Sequence, residues 1–208
     1  MLPVRKSFRI AIEECNPSNF DCEAALVTYS GLVSLELYAS TSSLKDIFQG
    51  LWGLIKTEFY DRTQTAFKLG TPISRGGSRV IPPSLSKYAI ALTERDRFIA
   101  QMDHFLDQWD VWICPVATVP AFTHRPFGKP IRVDGLSVPY LLACGAYTMI
   151  FNLTGHPVVV IPVGQSQDGL PIGIQLVGKR WRDVELLIIA EQLSEVIAAF
   201  QPPPGYSN

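Results

Sequence analysis

No stretch of this sequence approaches the roughly 18 consecutive apolar residues that a bilayer-spanning helix requires. An excess of one charge is also lacking. The 18 Lys and Arg stand against 19 Asp and Glu, a formal net charge of -1, which leaves no electrostatic case for nucleic acid or an anionic membrane. The four cysteines, Cys15, Cys22, Cys114 and Cys144, are scattered and contain no CxxC pair, which argues against a disulfide scaffold and a zinc site. His104, His124 and His156 show no ligand spacing, so no metal or other cofactor is expected. The opening residues carry two basic side chains without an apolar stretch behind them, and Glu13 and Glu14 arrive too soon for a signal peptide. The expectation is a cytoplasmic protein with reduced thiols, whose sequon Asn152-Leu153-Thr154 is never glycosylated. Internal repeats and low-complexity segments are absent as well.

What is present is apolar mass. Hydrophobic residues make up 47% of the 208 and charged residues 18%, enough to bury a core in one large domain. Ser7–Cys15 has a weak helical pattern, and 16–19 reads as a loop. Helical spacing of Ala25, Leu26, Tyr29, Leu32, Val33 and Leu37 predicts a helix over Asp21–Ala39, capped by Asn19 or Asp21. A second helix is expected over Leu44–Ile55, with Glu58–Phe67 continuing it. Residues 70–86 hold two adjacent glycines and two adjacent prolines and read as a connection without regular structure.

A long helix is expected over Ser86–Trp109, with Ile90, Leu92, Phe98, Ile99, Met102, Phe105 and Leu106 as core candidates. The apolar run Val111–Cys114, closed by Pro115, suits a strand buried on both faces. Residues 115–139 read as irregular, with turns at 128–130 and Asp134-Gly135. Tyr140–Leu153 is expected to be a helix with Gly155 as its left-handed cap. Strands over Pro157–Val163 and Ile172–Val177 flank the hairpin signal Gln167-Asp168-Gly169. The last helix is expected over Asp183–Phe200, capped by Asp183, with Val184, Leu187, Ile188, Leu193, Val196 and Ile197 apolar. Residues 201–208 form a flexible tail. This order predicts an α/β fold, a mixed sheet covered by helices.

Three phrases carry more specific information: Asp110-Val-Trp-Ile-Cys-Pro115, Asn152-Leu-Thr-Gly-His-Pro157, and Gly169-Leu-Pro-Ile-Gly-Ile-Gln-Leu-Val-Gly178. In this order and spacing they resemble the C-terminal half of the amidase signature family, whose members hydrolyse amides with two serines and a lysine. The resemblance is dense over 110–190 and weaker over 15–109. It implies a partial amidase-signature fold, without the N-terminal part of that fold.

In that family a serine attacks the amide carbonyl, a second serine on a cis peptide relays its proton to a lysine, and backbone N–H groups hold the oxyanion. Those groups lie N-terminal to the matched region, so the resemblance carries no catalytic residue onto this chain. Arg75-Gly-Gly-Ser-Arg79 looks superficially like a nucleophile loop but lacks the second Gly-Ser run, and reads as a flexible surface turn. Ser86 and Lys87 are adjacent at a helix start and do not face each other, so capping by Ser84 or Ser86 is the better reading. Asp183 and Glu185 are expected to complement a helix dipole.

The resemblance does imply that part of a substrate pocket falls here, with Thr118, Phe122, Tyr147 and Phe151 as candidate lining residues. Glutamine-hydrolysing members of the family carry an acidic residue where this chain has Gly145. Without that partner for a buried ammonium, less polar amides fit better than glutamine. Alone, the chain is expected to be inactive. One reading is a fragment from a truncated or split gene, its opening 14 residues displaced by a shifted start or frame. The other is a non-catalytic partner or binding subunit that completes a separately encoded N-terminal half. A fragment would expose an apolar face and self-associate through it, and the helix over 140–153 is apolar nearly all round.

Overall fold

The computed structural model describes residues 10–40, 71–126, 128–197, 202 and 205. The helices expected over Leu44–Ile55 and Glu58–Phe67 lie outside the described residues, as does most of the tail. Residues 10–15 form no helix, contrary to the weak pattern there. Ile10 and Ile12 stand 51% and 84% exposed, so no packed face supports a helix so short. Helix α1 (Cys22–Ser40) begins where Asp21 Oδ1 accepts the Ala24 N–H at 3.0 Å. Asp21 is therefore the cap.

The connection expected over 70–86 is in part a helix, α2 (Pro72–Arg79). Proline breaks helices by lacking an N–H, but in the first turn that N–H has no intrahelical partner to lose. Thr71 caps the turn by accepting the Ser74 N–H at 3.1 Å. The adjacent glycines are buried rather than flexible, which also corrects the surface-turn reading of 75–79. A Cβ on Gly76 would stand 1.9 Å from Ser30 Oγ and 2.1 Å from the Val27 carbonyl oxygen. The helix exists here because glycine lets it press directly onto α1, with an Arg75–Glu23 ion pair beside the contact.

Helix α3 (Leu85–Leu106) is capped by Ser84, which accepts the Lys87 N–H at 3.2 Å. It ends before Trp109, with Asp107 as its C-cap. Phe98, Met102 and Leu106 are fully buried, whereas Ile90, a predicted core residue, is 61% exposed. Helix α4 (Tyr140–Thr154) closes with Gly155 at φ 70°, as expected.

Three strands form the main sheet: β1 (Trp112–Pro115), β4 (Val158–Gln165) and β5 (Pro171–Val177), in the order β1-β5-β4. Between them in sequence lie β2 (Ile131–Val133) and β3 (Leu136–Val138), a separate hairpin. Its Asp134-Gly135 turn, at φ 47° and 83°, was expected; its three-residue strands are too short to show in a pattern. All pairings among the described residues are antiparallel. Strand β1 pairs with β5 alone among these strands, so it is an edge. Ile113 is 41% exposed, not buried as a two-faced core strand would require.

Helix α5 (Asp183–Ile197) covers one face of the sheet, where Leu186, Ala190 and Leu193 meet Ile161 and Leu176. The other face packs Cys114 and Val177 against Met102, Leu106, Ile150 and Phe151 of α3 and α4. Asp183 is the first helical residue rather than a cap before it. The α/β class stands, as small antiparallel sheets between helices. No helix among the described residues is long and apolar enough to cross a membrane.

Candidate functional site

Helix α4 is the element on which the predicted pocket residues converge. Tyr140, Ala143, Tyr147 and Phe151 recur at intervals of three and four, so they share one stripe of it. The segment after β1 is tied to that stripe. Both the Thr118 N–H, at 3.2 Å, and the Thr118 hydroxyl, at 2.9 Å, donate to the Ala143 carbonyl oxygen. Further along, Phe122 meets Tyr140 edge to face with ring centroids 6.2 Å apart. The Arg125 guanidinium lies over the Phe122 ring, 5.5 Å from its centroid, and Arg125 Nη1 donates to the Pro130 carbonyl at 2.7 Å.

The four candidates therefore sit differently. Thr118 is half-buried and pinned, whereas Phe122 and Tyr147 are 41% and 36% exposed. Phe151 is buried in the core, edge to face with Trp112 at 5.9 Å. It also borders a cleft of about 300 Å³ shared with Asn152, Gly155, His156, Pro157, Trp181 and Asp183. Sequence reasoning did not single out Tyr140, Arg125 or Cys144. Burial raises the Cys144 thiol pKa above its ordinary value, opposed by a hydrogen bond from Tyr140 and by the charge of Arg125. The stripe through Tyr140 and Tyr147 was a readable signal for the first of these; nothing local pointed to Arg125.

A second polar cluster ties the helices to the sheet. His156 Nε2 lies 3.1 Å from Asp103 Oδ1 and its Nδ1 lies 3.0 Å from Thr154 Oγ1. Arg180 donates to both carboxylate oxygens of Asp103, at 3.3 and 3.1 Å. Burial lowers the His156 pKa, and the neighbouring Asp103 carboxylate opposes that shift. No group of three or more His, Cys, Asp or Glu side chains among the described residues is placed to hold a metal ion.

The serines that invite comparison with a nucleophile have structural partners. Ser78 Oγ donates to the Arg75 carbonyl at 3.0 Å on the last turn of α2. Ser84 caps α3, and Lys87 Nζ donates to the Pro82 carbonyl at 2.8 Å. Glu185, in the first turn of α5, pairs with Arg182 just before the helix at 2.6 Å.

The amidase family model matches residues 9–187, and the chain belongs to the amidase signature family. One subunit of a glutamyl-tRNA(Gln) amidotransferase from Treponema denticola is 29% identical over 181 residues, 83% of this chain and 36% of that protein. The 6-aminohexanoate-cyclic-dimer hydrolase of Paenarthrobacter ureafaciens is 34% identical over 90 residues, 41% of this chain and 18% of that one. A crystal structure of an amidase superposes with a TM-score of 0.58 at 19% identity, covering 85% of this chain and 36% of that one. A bacterial aryl acylamidase of the amidase signature family gives 0.55 at 17%, covering 90% and 39%. At those identities the structures speak for the fold alone. The chain thus spans about a third of the length of the first of these relatives.

Proposed function

We propose that this chain supplies the C-terminal part of an enzyme that hydrolyses carbon–nitrogen amide bonds. Thr118, Phe122 and Tyr147 line the substrate wall, and Phe151 supports it from the core. The observation that carries this reading is the double hydrogen bond from Thr118 to the Ala143 carbonyl, which holds an otherwise irregular segment against α4. That pairing fixes the position of a segment that has no secondary structure of its own, on a rigid helix as scaffold. The partly exposed rings of Phe122 and Tyr147 favour an aryl or alkyl amide over glutamine, and Gly145 offers no carboxylate for a substrate ammonium.

The two serines and the lysine of the family's mechanism have no counterpart in these 208 residues, so the chain by itself does not turn over amides. It acts with a complementary N-terminal amidase portion, joined to it or separately encoded. The four free thiols support a reducing, cytoplasmic setting.

The test begins with the DNA upstream of the Met1 codon, read in all three frames. The expected result is a lysine segment and a Gly-Ser-rich loop, with hydrolysis of acyl anilides once that portion is expressed with this chain. Turnover by the 208 residues alone, or a complete absence of such a segment from the genome, overturns the reading.

A further inference from the structure

The segment along α4 is short of negative charge. Residues 111–167 hold a single acidic side chain, Asp134, exposed in the β2–β3 turn, against Arg125, Lys129 and Arg132. Lys129 and Arg132 are exposed, whereas Arg125 is half-buried. It takes part in none of the ion pairs among the described residues.

The Arg125 guanidinium is nevertheless held in place. Its Nη1 donates to the Pro130 carbonyl at 2.7 Å, and its Cζ lies 5.5 Å from the centre of the Phe122 ring. The other edge, formed by Nε and Nη2, has no acceptor in the chain, and Nε is also screened from water. An unpaired donor on a desolvated charged group is costly. That edge is the fork that takes a carboxylate with two parallel hydrogen bonds. Arg180 uses the same two atoms on both oxygens of Asp103, at 3.3 and 3.1 Å.

Arg125 also stands at the wall itself. Its charge acts on the Cys144 thiol, and Cys144 lies four positions after Tyr140 and three before Tyr147, on the same stripe of α4. We propose that Arg125 binds a carboxylate of the substrate, so that this wall takes alkyl or aryl amides carrying one acidic group. Monoamides of dicarboxylic acids and acylated aminobenzoic acids are of this kind. The inference rests on the wall proposed above and deepens it: the apolar part of the substrate lies against Phe122 and Tyr147 while the carboxylate meets Nε and Nη2. Glutamine remains a poor fit, because Gly145 leaves its ammonium without a partner.

The test follows the arginine Nε–H signals of the full chain by proton–nitrogen correlation NMR. Succinic acid monoanilide and para-acetamidobenzoate are the probes, with the carboxylate on the acyl and the amine side. The methyl ketones in which acetyl replaces the carboxylate are the neutral controls. The Arg125 signal is expected to move saturably with at least one acid, at half-saturation in the millimolar range, and to ignore both ketones. Arg125→Gln abolishes that binding, and Arg125→Lys keeps part of it, since the charge stays but the fork is lost. An unmoved Arg125 signal overturns the proposal, as does equal movement of all arginines or binding that survives Arg125→Gln. Hydrolysis separates this proposal from the reading beneath it. With the complementary portion expressed alongside, the preferred acid should exceed its ketone about tenfold in kcat/KM, and Arg125→Gln should erase the preference. Turnover of the ketones with no preference for either acid defeats the carboxylate site alone. No turnover of any anilide defeats the amidase reading and the substrate class with it.

Discussion

His156 Nε2 sits 3.1 Å from Asp103 Oδ1, joining the turn after α4 to the last turn of α3 across 53 positions of sequence. Arg180 grips the same carboxylate from the loop after β5, so one aspartate holds three separate segments. Replacing it with asparagine leaves Arg180 and His156 without their charged acceptor. Asp103→Asn is expected to lower stability by about 2 kcal/mol, the scale of charge-assisted hydrogen bonds at a partly exposed site. Denaturant midpoints read this directly.

The same histidine sets a pH dependence. Burial lowers its pKa in the folded state, while the unfolded chain protonates it near the ordinary value of about 6.5. As pH falls through that value towards the lowered one, the unfolded state takes up the proton first, and the stability contributed by neutral His156 is lost. Stability should therefore decline as pH falls below about 6.5, and His156→Gln should flatten that part of the profile. An unchanged slope in the variant would assign the acid sensitivity to other groups.

Two glycines in the helical layer predict opposite outcomes. Gly76→Ala drives a methyl group into Ser30 Oγ and the Val27 carbonyl, and is expected to cost about 3 kcal/mol as α1 and α2 are forced apart. At Gly31, in the middle of α1, the nearest atoms to an added Cβ are 3.5 Å away, ordinary contact. Gly31→Ala should gain about 0.5–1 kcal/mol from helix propensity. Thermal or denaturant unfolding of the pair decides both.

Cys114 is the thiol least able to react. Burial pushes it up to about 11, only partly offset by a hydrogen bond with Gln175. Iodoacetamide at pH 8 should leave Cys114 unlabelled in the folded chain and label it in denaturant, as mass spectrometry of the peptides would show. Labelling of the folded chain at Cys114 would place β1 in a looser edge than the structure gives it.

Among the pocket candidates, position separates wall from core. Phe151→Ala removes a buried ring and is expected to cost about 4 kcal/mol. Tyr147→Ala should cost under about 1 kcal/mol, as changes at exposed positions do. In the assembled hydrolase it should raise KM several-fold with kcat little changed. If KM is unmoved, Tyr147 is surface rather than wall.

Much of this fold was legible because α1, α3, α4 and the β4–β5 hairpin follow local rules: spaced apolar residues, a Ser or Asp cap, a glycine at a left-handed position. What failed was local reasoning applied to a tertiary fact. Pro72, Gly76 and Gly77 look like breakers in sequence, and only the surface of α1 explains why they form a helix. Val184, Leu187 and Ile188 look like core and lie outside it, because the sheet had already taken Leu186, Ala190 and Leu193. The candidate wall residues Tyr147 and Phe151 were chosen from their residue types on one helix, and Thr118 and Phe122 from the segment before it. The hydrogen bond that ties Thr118 to α4 was not legible, since it reaches a carbonyl 25 positions away. The burial expected at Ile113 failed because strand order, not the apolar run, decides which strand is an edge.

The position of β1 also bears on how the chain emerges from the ribosome. Trp112 and Val177 are paired neighbours in the sheet but stand 65 positions apart, 177 less 112. At ordinary translation rates of 5–20 residues per second, β1 waits about 3–13 seconds before its partner strand is synthesised. Through that interval the inner faces of α3 and α4, which meet the sheet at Cys114 and Val177, have no strand to close against. The nascent protein is at its most adhesive just before β5 is made, and chaperone occupancy should peak there.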